Sequence, residues 1–170
     1  MIAPLSLSNV LTVVLALLCL WTSNAQSSGG VVKLWRLAVP PTLATAVALV
    51  LLASVFNPTL AHDAEWIVAA ILGAALGRTR GWLMHVESDQ RWGLVKLPRS
   101  YDGLLASFAL LVLSMVDFAG AALGAAVIQP PHVAAGAAAC AGYLVFRAIA
   151  TTMRATRRPH VELYDVKSAR

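Results

Sequence analysis

The chain has 170 residues, of which 59% are hydrophobic and only 12% charged. Soluble domains carry roughly 45–50% apolar and about 25% charged residues, and a core of this size cannot hold the surplus of Ala, Leu and Val. That excludes an ordinary soluble enzyme, a disordered chain and a disulfide-stapled secreted domain, and it leaves a bilayer to take the remaining apolar surface. The formal charge is +5, and we read the basic residues as topology signals, with no nucleic-acid partner implied.

A span needs about 20 mostly apolar residues, and five stretches qualify. The first covers 5–21. Leu11–Leu20 followed by Ser23-Asn24-Ala25 imitates a signal peptide. The first ten residues hold no Lys or Arg, however, and cleavage would invert the rest of the chain, so an uncleaved span is expected. The second covers 37–56 and opens with Pro40-Pro41, in a first turn where a missing N–H costs least. The third covers 63–84. Its strictly apolar part, Trp66–Gly77, is about 18 Å long at about 1.5 Å per residue, and snorkelling Arg78 and Arg80 are expected to extend it. The fourth covers 102–128 and the fifth 132–152, with Gln129-Pro130-Pro131 between them.

All 13 Lys and Arg residues fall in or beside the first and third connections or at the C-terminal end, whereas 57–65 and 129–132 hold none. The positive-inside rule then puts the N-terminus outside and the C-terminus inside. Trp21, Trp35, Trp66 and Trp82 sit near span ends, as interfacial anchors do. The expected fold class is an all-α membrane protein of five transmembrane helices. Residues 1–153 form its single domain and 154–170 a basic cytoplasmic tail. Between spans three and four, Met84–Ser100 alternates apolar and polar positions around Gly93, which predicts a short cytoplasmic β-hairpin-like loop.

Few residues offer chemistry. Asp117 lies 15 positions into span four, between Val116 and Phe118. A carboxylate in hydrocarbon is costly, so it is either a proton or ion site or a structural Asp served by Ser114. Arg147 is too far along span five to reach Asp117 and is expected to snorkel to the cytoplasmic interface. Cys19 and Cys140 are expected at different depths, unpaired. Gly73, Gly77 and Gly81, then Gly120 and Gly124, and Gly136 ahead of Cys140, form small-residue faces that let helices approach closely. His85, Glu87 and Asp89, or His62, Asp63 and Glu65, are weak as metal sites; a polar loop and an acidic helix start explain them better. Arg154, Arg157 and Arg158 are expected on anionic lipid headgroups. No phosphate loop, zinc motif, dinucleotide fingerprint or nucleophile elbow is present, so no metal, cofactor or catalytic residue is assigned.

The basic first connection running into Val39-Pro40-Pro41, the Ala64-Glu65 start of span three, and the compact loop Met84–Arg99 leading into span four together resemble the CcdC-like family of small bacterial inner-membrane proteins. The number and order of spans agree over most of the chain. The resemblance implies a loose link to cytochrome c maturation and supplies no catalytic residues. Two functions are therefore weighed. One is a non-enzymatic accessory or scaffold protein of the inner membrane, with a protein partner or a second copy beside the lipid. The other is a small proton- or ion-coupled carrier, working as a homo-oligomer with Asp117 as its titrating group.

Overall fold

The computed structural model of the chain describes residues 7–55, 59–89, 91–124 and 128–157. Among these are five helices long and apolar enough to cross a membrane. Helix α1 spans Leu7–Ser27, α2 Val39–Ala53, α3 Leu60–Leu83, α4 Asp102–Leu123 and α5 Pro130–Arg157. Strands β1 (Gly30–Lys33), β2 (Glu87–Asp89) and β3 (Leu94–Leu97) form one antiparallel sheet in the order β1-β3-β2. A 3-10 turn at Leu34–Ala38 carries the chain from β1 into α2.

Local chemistry explains the boundaries. The α1 helix stops before Gly29 (φ 74°) and Gly30 (φ 124°), conformations that side-chain-bearing residues resist. At Gly29 there is also no room: a Cβ would come within 3.1 Å of the Arg99 backbone nitrogen. The α3 helix starts at the Thr59 side chain, which accepts from the His62 N–H at 3.4 Å. Its far end is held by Arg154, whose guanidinium donates to the carbonyls of Trp82 and Met84.

Helix α5 is the central helix, packed by α2, α3 and α4, while α1 closes on α2 and α4. The burial pattern is inverted relative to a soluble bundle. On α1 the buried residues are Thr12, Ala16, Cys19, Ser23 and Ser27, and Val10, Val14 and Leu17 face outward. On α3 only Gly73, Gly77 and Gly81 are buried. On α1 and α3, small and polar residues inside with large aliphatics outside is what a lipid solvent selects, since burying leucine gains little there. The chain is a multi-pass membrane protein by this criterion, with the sheet gathered at one end of the bundle.

The structure departs from several expectations. The loop between α3 and α4 is a hairpin, but it supplies only two strands of a three-stranded sheet that β1 completes: Val32 pairs with Val95 and Glu87 with Lys96. Asp89 closes the hairpin, its Oδ1 accepting from the N–H groups of Arg91 and Trp92. A second apolar cluster, with Leu37, Met84, Val86, Val95 and Leu97, fastens the sheet to the bundle. Helix α4 ends at Leu123, five residues short of the expected 128, because Gly124 takes the left-handed conformation at φ 67°. A Cβ on Gly124 would meet nothing within 4 Å, so this glycine is a helix stop, and its assignment to a packing face is corrected. Helix α5 runs on to Arg157, past the expected end at 152. Arg158 and the rest of the tail lie outside the described residues.

Candidate functional site

The richest constellation lies where α3, α4 and α5 meet at the sheet end. Asp102 opens α4, and its Oδ2 accepts from Tyr143 Oη at 2.8 Å, Arg147 Nε at 3.0 Å and Arg80 Nε at 3.3 Å. Asp102 and Arg147 are mostly buried, with side chains 19% and 15% exposed, whereas Arg80 is half in solvent. The other carboxylate oxygen, Oδ1, is buried and has no hydrogen-bond partner among the described residues. One carboxylate thus ties three helices at a single level through charge-assisted bonds.

Glycines build this arrangement. A Cβ on Gly77 would come within 2.8 Å of the Tyr143 carbonyl carbon, and one on Gly81 within 2.8 Å of the Arg147 carbonyl oxygen. Gly73 approaches the Ala139 backbone in the same way, and on α5 a Cβ on Gly142 would lie 2.5 Å from the Ala70 carbonyl oxygen. The two helices interlock backbone to backbone, and that closeness brings Tyr143 and Arg147 to Asp102. Gly103 clears space for the Arg147 guanidinium, whose Nη1 would be 3.0 Å from a Cβ there. The glycine face of α3 is therefore used up inside the chain. Gly136 is looser, since a Cβ there would meet only the end of the Leu113 side chain, at 2.9 Å. Gly120 is half-buried on α4.

Beside the network is a small cavity of about 20 Å³, lined in part by Ser23, Ser27, Ser100, Arg147 and Thr151. That is room for a single water molecule and not for a solute. The Ser100 hydroxyl is buried without a partner among the described residues. From there a polar seam runs along α1 and α4: Ser23 Oγ is 2.6 Å from Ser107 Oγ, Ser107 donates to the Gly103 carbonyl at 2.9 Å, and Cys19 Sγ lies 3.5 Å from Ser107 Oγ. Both cysteines are free thiols. Cys19 is a member of the helical core and Cys140 packs against it.

The residues singled out from the sequence fare differently. Asp117 is half-buried and makes no hydrogen bond or ion pair among the described residues. Ser114, its expected partner, is fully buried and donates to the Leu110 carbonyl at 3.0 Å instead, one turn back along its own helix. With α4 ending at Leu123, Asp117 stands about 9 Å from the helix end at about 1.5 Å per residue, well away from mid-span. Arg147 does not snorkel; Asp102 holds it. Of the three predicted lipid-facing arginines, Arg154 is half-buried and caps α3, Arg157 is exposed, and Arg158 lies outside the described residues. At the opposite end, Glu65 Oε1 and His132 Nδ1 approach to 2.6 Å and tie the start of α3 to the start of α5. Among the described residues, no three His, Cys, Asp or Glu side chains gather as a metal site.

Asp102 and Tyr143 were missed because each looked unremarkable alone. The available signal was register: Tyr143 and Arg147 are four apart on one helix face, and Asp102 begins the neighbouring span at the same end as Arg147.

In comparisons with known proteins, no family model, curated protein or solved structure matches the chain.

Proposed function

We propose that the chain is a non-enzymatic accessory or scaffold protein of the bacterial inner membrane, with its N-terminus outside and the sheet end in the cytoplasm. The orientation rests on charge: the sheet end carries Lys33, Arg36, Arg91, Lys96, Arg99 and Arg154, and the connections at the other end carry no Lys or Arg. One observation carries the accessory reading. The interior is closed by backbone-to-backbone contact between α3 and α5, and the polar cavity inside is the size of one water. A protein built this way works through its surfaces.

The carrier reading draws less support. Asp117 lies about two turns from the end of α4 and outside the polar network, where a coupling residue would need to meet both the solute and a partner charge. The family resemblance remains a sequence-based reading and names the partner class to seek first, components of cytochrome c maturation.

Affinity purification in mild detergent, followed by mass spectrometry and a native mass, tests the proposal. A reproducible protein partner, retained in Asp117→Asn, is the expected result. A homo-oligomer with no other partner, together with loss of a pH-dependent phenotype in Asp117→Asn at normal abundance, would overturn it in favour of the carrier.

A further inference from the structure

A large open volume lies on the outside of the molecule. A groove of about 1030 Å³ runs down the outside of the bundle between α2 and α5, and its wall is overwhelmingly apolar. That is the upper end of the roughly 300–1,000 Å³ range of ligand sites. Its mouth is at the sheet end, where Lys33 and Trp92 flank it and the 3-10 turn contributes Trp35. From Ala38 to Leu49 on α2 it descends about 16 Å, and from Met153 to Val145 on α5 about 12 Å, at about 1.5 Å per residue. It therefore enters the apolar span from the interfacial level.

Two of the three threonines along the groove are occupied. Thr42 and Thr45 donate to the Ala38 and Pro41 carbonyls of their own helix, so the wall below the mouth offers an occupant mainly methyl and methylene groups. Among the described residues, the one charge lining the groove is Lys33. Arg36 does not add to it: its guanidinium lies 5.7 Å from the Trp35 ring centre and lines a separate cleft on the far side of that indole. Trp35 and Trp92 are 62% and 58% exposed, and such rings settle at the headgroup level of a bilayer.

We infer that this groove is a binding site for one anionic phospholipid, with its acyl chains between α2 and α5 and its phosphate at Lys33. Charge complementarity selects the ligand: a single cation at the mouth, above a long apolar wall, fits a headgroup of net negative charge better than a zwitterion. A protein helix as occupant would leave Lys33 to be desolvated against an apolar surface.

The test uses the full chain, purified in detergent and stripped of lipid. Dioleoylphosphatidylglycerol or dioleoylphosphatidylcholine is added back, and bound lipid is counted by native mass spectrometry. The wild type is expected to prefer phosphatidylglycerol about fivefold, the factor that about 1 kcal/mol of headgroup attraction per cation gives. Lys33→Gln is expected to remove the preference while Arg36→Gln keeps it. Ile149→Trp, which fills the groove, is expected to lower the binding of both lipids. Lys33 is exposed at the end of its strand, so its replacement leaves the fold intact even if Ile149→Trp does not. Equal binding of the two lipids by the wild type would overturn the inference, as would a preference that survives Lys33→Gln. A dimer that forms without lipid and dissolves in Ile149→Trp would assign the groove to a second copy and overturn it as well.

Discussion

Replacing Gly77 by alanine adds one methyl group at a close backbone approach of two helices. That methyl carbon would lie 2.8 Å from the Tyr143 carbonyl carbon and 2.9 Å from its Cα. The Tyr143 carbonyl oxygen would be nearer still, and ordinary contact begins near 3.4 Å, so the backbones must part by more than the 0.6 Å that separates 3.4 from 2.8 Å. No rotamer change relieves this, because the obstacle is main chain. Overpacking costs about 1–3 kcal/mol in well-packed cores, and the upper part of that range applies here, since Gly73, Gly81 and Gly142 depend on the same spacing. With about 2–4 °C per kcal/mol for chains of this length, Gly77→Ala is expected to melt about 5–10 °C below the wild type in detergent. Gly136→Ala is the control. Its methyl would press on a leucine side-chain end that can turn aside, for a loss of about 1 kcal/mol or less. Thermal unfolding followed by size-exclusion chromatography measures both. Equal melting temperatures for the two variants would refute the backbone interlock.

Other predictions concern the ion pairs and Asp117. Asp102→Asn leaves the mostly buried Arg147 without its counter-charge and is expected to cost about 2 kcal/mol, less than the roughly 3–5 kcal/mol for a fully buried pair. Arg80→Ala, on a half-exposed partner, is expected to cost under about 1 kcal/mol; thermal melts of both variants check the order. The Glu87 carboxyl accepts from Lys96 Nζ at 2.8 Å, and that bond and charge hold its pKa below the ordinary glutamate value. The resulting small stabilisation is present above the ordinary value and lost as pH falls through the lowered one. Lys96→Met should return the midpoint to the ordinary value in a carboxyl NMR titration. Asp117→Asn is expected to leave the melting temperature within 1–2 °C of the wild type, the range for a change of about 0.5 kcal/mol at a site without partners.

Hydropathy located all five spans, because a run of about 20 apolar residues has few other destinations. Their ends were harder to place. Gly124 fits a G-x-x-x-G face as well as it fits a helix stop, and only its left-handed backbone separates the two. Strand β1 carried a local signal in Gly29-Gly30 followed by Val31-Val32, but its partner β3 lies more than sixty residues away, and a four-residue strand says nothing of where it will pair. The glycine spacing on α3 correctly pointed to close packing. What it could not give was the partner, α5, and with it the setting of Tyr143 and Arg147 around Asp102. The capping role of Arg154 was hidden for the same reason. Its place at the end of an apolar run suggests headgroups, and only the fold brings the open carbonyls of α3 within its reach. Single-residue chemistry is visible in a sequence, whereas chemistry shared among three helices is not.

The account turns on which end of the bundle faces the cytoplasm. With Cys19 and Cys140 replaced by alanine, one cysteine is introduced at Lys96 on the sheet or at Leu60, which opens α3 at the other end and is 89% exposed. A membrane-impermeant maleimide is then applied to intact cells and to lysed cells. The account predicts that Leu60→Cys is labelled in intact cells and Lys96→Cys only after lysis. Labelling of Lys96→Cys in intact cells, with Leu60→Cys protected, would contradict it.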